Sequence, residues 1–179
     1  MIQSKWKGRN NYAKQHEVEQ ASRLAFRGHL TEVGNMNLGS LNLTNIPGDL
    51  MAELTKCVKK EIYIFDNSRL GHHNLSAILR NARCRRLAFW NVSLNSSDTQ
   101  LLVQALSSVE ELKLWWGTKV DIKTLTSYSG NGSCRYIKLE NIYIEALDGE
   151  YRRKLTKFAE DKGWKVTYND SNLFVIERF

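Results

Sequence analysis

An α/β solenoid, with a curved parallel sheet on its concave face and helices on its convex face, is predicted by three observations. Four short runs, Ile62-Tyr63-Ile64, Leu87-Ala88-Phe89, Leu112-Lys113-Leu114 and Ile137-Lys138-Leu139, begin 25 positions apart. In each run two large apolar residues are separated by one, which puts both on the same face of a strand. Between the runs lie apolar residues at helical spacing. A fixed period in this range marks stacked supersecondary units, each of which buries its apolar face only against its neighbours.

The elements follow in order. Residues 1–30 read as a basic helix that caps the array or, alternatively, as a basic arm. Lys5, Lys7, Arg9, Lys14, Arg23 and Arg27 stand against Glu17 and Glu19, with Trp6 and Tyr12 between them. Val18, Ala21, Leu24 and Ala25 gather on one helical face, and Arg27-Gly28 is the stop. Residues 31–179 form the repeat domain. Leu41-Asn42-Leu43 is read as its first strand, and Pro47, the only proline, breaks the chain after it. Leu50, Met51 and Leu54 predict the first outer helix, and Leu75, Ile78, Leu79 and Ala82 the second. Leu101, Leu102, Ala105 and Leu106 predict the third, behind Ser96, Ser97 and Asp98 as candidate caps. Ile122 and Leu125 mark a shorter one, followed by the loop 127–133. Leu155, Phe158 and Ala159 predict a helix over 150–161, ended by Gly163. Residues 164–168 then make a last strand, and 173–176 an antiparallel edge.

Composition fits a compact, soluble domain. The chain has 179 residues, 42% hydrophobic and 25% charged, enough for one continuous core. No apolar run reaches the roughly 18 residues that span a membrane, and the N-terminus lacks the apolar core of a signal peptide. Cys84 and Cys134 share a column with Val109, two rungs apart, which at about 4.8 Å per rung is too far for a disulfide. The thiols therefore read as buried packing in a reduced, cytoplasmic compartment. Six Asn-x-Ser/Thr matches, at Asn42, Asn74, Asn91, Asn95, Asn131 and Asn169, would suit a secreted chain. The motif is short, and Asn91 falls where the repeat is expected to bury its residue.

The Leu-x-Leu strands, Asn91, Asn141 and the mid-twenties period resemble ribonuclease-inhibitor-type leucine-rich repeats. The phrase from Leu155, Thr156, Lys157 and Phe158 through Gly163, Trp164, Lys165 and Val166 is similar to the C-terminal repeats of NOD-like immune receptors. Leu41-Asn42-Leu43 with Ile46-Pro47 resembles invertebrate members of that group. The likeness covers residues 38–176. It implies a ligand-sensing or autoinhibitory domain of an innate immune receptor. It also implies a column of buried strand-end asparagines that bond neighbouring backbone, here Asn45, Asp66, Asn91, Trp116 and Asn141, with Asp66 and Trp116 departing from asparagine.

The candidate site comes from the columns of the concave face. Phe65, Trp90, Trp115 and Glu140 form one column, so three large aromatics stand on adjacent rungs. Beside them run Tyr63, Ala88, Lys113 and Lys138, then Glu61, Arg86, Glu111 and Tyr136. An aromatic centre with a charged rim is the composition of a protein interface. Docking is assigned to Phe65, Trp90, Trp115 and Tyr63, with Lys113, Lys138, Glu111 and Arg86 setting orientation. Catalysis has no support: His72 and His73 have no nucleophile or carboxylate placed beside them by the repeat, and His16 and His29 are isolated. No metal or cofactor motif appears, since Gly28, Gly34 and Gly39 are too scattered for a phosphate loop. The reading is thus a non-enzymatic protein-recognition module, with self-association through the same face as one form of it. The alternative is a nucleic-acid-binding protein that uses its basic surface, given a formal charge of +7 and a sequence pI near 9.4.

Overall fold

The structure, a computed structural model, describes residues 14–39, 41–141, 149–169 and 173–178. Lys5, Trp6, Lys7, Arg9 and Tyr12 of the expected basic arm lie outside the described residues. The fold is mixed α/β, with one mostly parallel sheet of seven strands and six α-helices among the described residues. The strands are β1 (Val33–Gly39), β2 (Val58–Phe65), β3 (Arg86–Trp90), β4 (Glu111–Trp115), β5 (Tyr136–Glu140), β6 (Lys165–Asn169) and β7 (Leu173–Glu177). Their order in the sheet is β1-β2-β3-β4-β5-β7-β6. The sheet is not curled, so the expected concavity does not appear in it, and the aromatic columns stand on an open sheet face.

Register between β2 and β5 follows the sequence period without a slip. Ile62 pairs with Leu87, Leu87 with Leu112 and Leu112 with Ile137; Ile64, Phe89, Leu114 and Leu139 line up in the same way. All eight side chains are buried. They share one core with residues of the helices α1 (Gln15–Phe26), α2 (Gly48–Cys57), α3 (His72–Asn81), α4 (Ser96–Ala105), α5 (Ile122–Leu125) and α6 (Gly149–Asp161). Each helix packs on the next in chain order, so the helix layer runs alongside the sheet. α1 belongs to that layer: it packs on α2 and gives Val18, Ala21 and Ala25 to the common core.

Two helices, α4 and α5, start where a side chain accepts from one of their first free N–H groups. In α4 the cap is Asn95, one residue before the expected serines. Its Oδ1 accepts from Asp98 N at 2.8 Å, and Asp98 Oδ2 accepts from Asn95 N at 3.4 Å. Asp121 caps α5 by accepting from the hydroxyl and N–H of Thr124. Gly71, at φ +82, turns the chain into α3, and an L side chain is rarely found in that region.

Two expectations are corrected at the sheet ends. The first strand is β1, not Leu41-Asn42-Leu43: Met36 pairs with Ile62 and Leu38 with Ile64. Met36-x-Leu38 is an equally good apolar pair one unit before β2. Leu43 is instead a loop residue buried in the core, with its N–H donated to Arg69 O. At the other end β7 is not the edge. It pairs antiparallel with β5, and β6 lies outside it. Phe174 and Ile176 are buried, whereas Lys165 and Thr167 are exposed, so the more apolar strand takes the inner place and the lysine-bearing strand the edge.

All three cysteines are free. Burial pushes the Cys84 thiol up to about 11 and the Cys134 thiol to about 12. Cys57 is half-buried, is raised by the same cause, and donates to Leu30 O at 3.1 Å. A thiol-specific chromogenic reagent at about pH 8 should therefore titrate only Cys57 slowly in the native chain and all three after denaturation. Rapid reaction of all three thiols in the native chain would contradict this packing.

Candidate protein-binding face

The main-chain ladder sets Phe65 opposite Trp90, Trp90 opposite Trp115, and Trp115 opposite Glu140. The rings meet. Phe65 and Trp90 have centroids 6.1 Å apart, and Trp90 and Trp115 are 6.4 Å apart in an edge-on arrangement. A second contact crosses a strand. Tyr63 on β2 and Trp115 on β4 lie 6.2 Å apart, above Ala88 of β3. Ala88 points to the helix-free side yet is fully buried, because its missing bulk lets the two rings close over it. The aromatics thus form a continuous roof rather than a single file.

Lys113 and Lys138 flank this roof. Lys113 Nζ lies 5.8 Å from the Trp115 and Tyr136 ring centroids, and Lys138 Nζ lies 5.9 Å from that of Trp115. Lys138 also pairs with Glu140 at 2.6 Å. Among the described residues no carboxylate lies in ion-pair range of Lys113. Burial, reinforced by the Arg86 charge, holds its ammonium below the ordinary lysine range.

Arg86 and Glu111 are committed to each other. Arg86 donates from Nε at 2.7 Å and from Nη2 at 2.6 Å to Glu111 Oε2, and its Nη1 lies 3.6 Å from Glu61. Burial raises the Glu111 carboxyl, but the Arg86 hydrogen bond and charge outweigh it and leave the group below its ordinary value. The Glu61-Arg86-Glu111 row is a half-buried ionic floor below the aromatics, and its members orient one another before they orient any partner.

The strand-end column differs from its expected role. Asp66, Asn91, Trp116 and Asn141 all have positive φ, at 52, 51, 30 and 47 degrees. The constraint on the column is therefore a left-handed backbone, which Asn and Asp tolerate better than other side-chain-bearing residues. It is not burial: Asn91 is exposed. Asn45, assigned to this column with the misplaced first strand, lies in the loop before α2; the corresponding position, Ser40, lies outside the described residues. Side chains beside the column also satisfy the backbone. Asn67 and Ser93 exchange two hydrogen bonds between adjacent units, at 3.0 and 3.3 Å. Buried Asn74 donates to Leu43 O at 2.6 Å and Leu70 O at 3.1 Å, which also removes it as a glycosylation acceptor. The buried Thr118 hydroxyl donates to Trp115 O at 2.6 Å and accepts from Val92 N at 3.4 Å.

Trp116 is the residue that sequence reasoning missed. It is 56% exposed, and its ring stacks on Trp90 with planes 10° apart and centroids at 6.2 Å. A bulky aromatic in a left-handed conformation costs about 1–3 kcal/mol, and such outliers concentrate at functional sites. The signal was present: Trp116 is the one residue in its column, 66, 91, 116 and 141, that is neither Asn nor Asp. One expectation about the histidines is corrected: His72 and His73 open α3, and a carboxylate does stand beside His72, whose Nδ1 lies 3.2 Å from Asp98 Oδ1, while His73 Nε2 lies 3.0 Å from Ile46 O. No protein-family profile matches the chain, and no curated protein shows significant sequence similarity to it.

Replacing Trp116 with Asn removes a stacking contact of about 0.5–1.5 kcal/mol and relieves strain of about 1–3 kcal/mol. Urea unfolding should therefore show Trp116→Asn within about 1 kcal/mol of the parent or above it. Thr118→Val should lose about 1–3 kcal/mol by leaving Val92 N without its hydroxyl partner and taking one donor from Trp115 O, which keeps its bond from Thr118 N. A large loss in the first variant with none in the second would contradict this account of the column.

Proposed function

We propose that this chain is a non-enzymatic protein-recognition module that docks a partner on the helix-free face of its sheet. The observation that carries the reading is the exposed, conformationally strained Trp116 stacked on Trp90 and continuous with Phe65 and Trp115. Tryptophan supplies large apolar area at small entropic cost, and a cluster of it at the centre of a charged rim is the usual composition of a binding hot spot. Exposed strain of this kind persists when a fold is under a demand other than its own stability.

The finer architectural reading is a leucine-rich-repeat solenoid, supported by the 25-residue period, the unbroken register from β2 to β5 and one helix per crossover between parallel strands. The resemblance to the C-terminal repeats of NOD-like receptors makes the module a ligand-sensing or autoinhibitory domain of an innate immune receptor. A cytoplasmic setting suits its three free thiols.

The test is capture from cell extract by the parent chain and by Trp116→Asn, each with and without nuclease and across a salt series. The expected result is a protein retained by the parent after nuclease treatment and lost by the variant. Capture that vanishes with nuclease and falls steeply with salt in both chains would overturn the reading in favour of nucleic acid on the basic surface.

A further inference from the structure

The face has a polarity of its own. At the strand ends it is aromatic, with exposed Trp116 stacked on half-buried Trp90. Two residues back along β4 stands Lys113, which opens into a cavity of about 230 Å³ lined by Glu111, Lys113, Arg135, Tyr136, Glu177 and Arg178. Three cations face two carboxylates there. Glu111 is already held by Arg86 at 2.6 Å and Arg85 at 3.2 Å. Arg135 is engaged with Glu110 at 2.9 Å, and Arg178 donates to Gly130 O at 3.2 Å. Lys113 is the cation that these pairings leave without a carboxylate in ion-pair range among the described residues: it lies against the Trp115 and Tyr136 rings, and the Glu111 and Glu61 charges that act on it are already engaged by Arg86, whose own charge and that of Lys138 oppose it. An ammonium partly withdrawn from water, beside another cation, gains more from an incoming carboxylate than an exposed one does.

We propose that the occupant of this face is an extended acidic segment of a partner protein, with one carboxylate on Lys113 at the cavity mouth and an apolar side chain on the Trp90–Trp116 stack. Trp90 lies opposite Trp115, so the stack is two strand residues along from Lys113 and one strand across, roughly 8 Å, and the carboxylate and the apolar residue belong about two positions apart in the bound segment. Lys138, 5.9 Å from the Trp115 ring, is placed to meet a second carboxylate by releasing Glu140. A basic segment would bring its charge against Lys113, Arg135 and Arg178, with Glu177 as the cavity carboxylate that has no ion pair among the described residues. The inference rests on the protein-recognition reading and adds the chemistry of the partner to it.

The experiment is a fluorescence-polarisation titration with a labelled peptide of repeating Glu-Ser-Leu-Ser, which places Glu and Leu two positions apart on one face of an extended segment, and with counterparts carrying Lys for Glu or Ser for Leu. The chains are the parent, Lys113→Met and Trp116→Asn, each first shown by circular dichroism and urea unfolding to be folded. The expected result is selective binding of the Glu/Leu peptide, weakened roughly tenfold by either substitution and by loss of its leucines. Equal or tighter binding of the Lys/Leu peptide, lost in Trp116→Asn, would overturn the acidic assignment while leaving recognition by this face intact. Glu/Leu binding that ignores both substitutions would place the peptide on basic residues elsewhere and overturn the inference. Binding of no peptide, with sedimentation showing a dimer broken by Trp116→Asn, would assign the face to a second copy of this chain and overturn it as well.

Discussion

The structure depends on the main-chain register that joins β2, β3, β4 and β5. Because each strand starts 25 residues after the one before it and pairs without a slip, one phase fixes the whole sheet. Positions 62 and 64 and their equivalents enter the core, and positions 61, 63 and 65 and theirs face away from the helices. A slip of one residue would exchange the two sets and put Trp90 and Trp115 where Phe89 and Leu114 now stand. The buried Ile, Leu and Phe columns therefore hold the aromatic face in place as firmly as they hold the core.

Each unit must also leave the sheet at the same point, and it does so through a left-handed residue at 66, 91, 116 and 141. Separating that backbone demand from burial clarifies the chemistry of the face. Neighbouring polar groups are satisfied by Asn67 with Ser93, by Asn74 and by Thr118, so the feature the turn residues share is a backbone angle. At three turns the residue is Asn or Asp, as conformation alone favours. At the fourth it is tryptophan, and the strain it carries is matched by a stack on Trp90 that extends the aromatic roof into solvent.

Most of the columns were legible in the sequence because a period-two strand pattern repeated at constant spacing specifies register directly. The pairings of Tyr63, Ala88, Lys113 and Lys138, and of Phe65, Trp90 and Trp115, stand as read. The first strand was not legible: Met36-x-Leu38 and Leu41-x-Leu43 carry the same signal, and only the pairing with β2 separates them. The rank of β6 and β7 was not legible either, since it turns on burial of Phe174 and Ile176 against the body. Trp116 is hidden because a shared column of Asn and Asp suggests a buried amide, whereas the shared property is a backbone angle. The roof over Ala88 arises from the size of a side chain two strands away from its partner, which no single-strand pattern records.

The central claim is that register builds one aromatic surface across β2, β3 and β4, and the contact between Tyr63 and Trp115 tests it most directly. These residues lie on strands that do not pair with each other, so their rings meet only if β3 lies between them in this register with Ala88 beneath. Nuclear magnetic resonance in solution should show Overhauser contacts between the two rings, consistent with centroids 6.2 Å apart. Their absence, in a chain that still shows the Ile62–Leu87 and Leu87–Leu112 core contacts, would mean that the aromatics do not close into a common face.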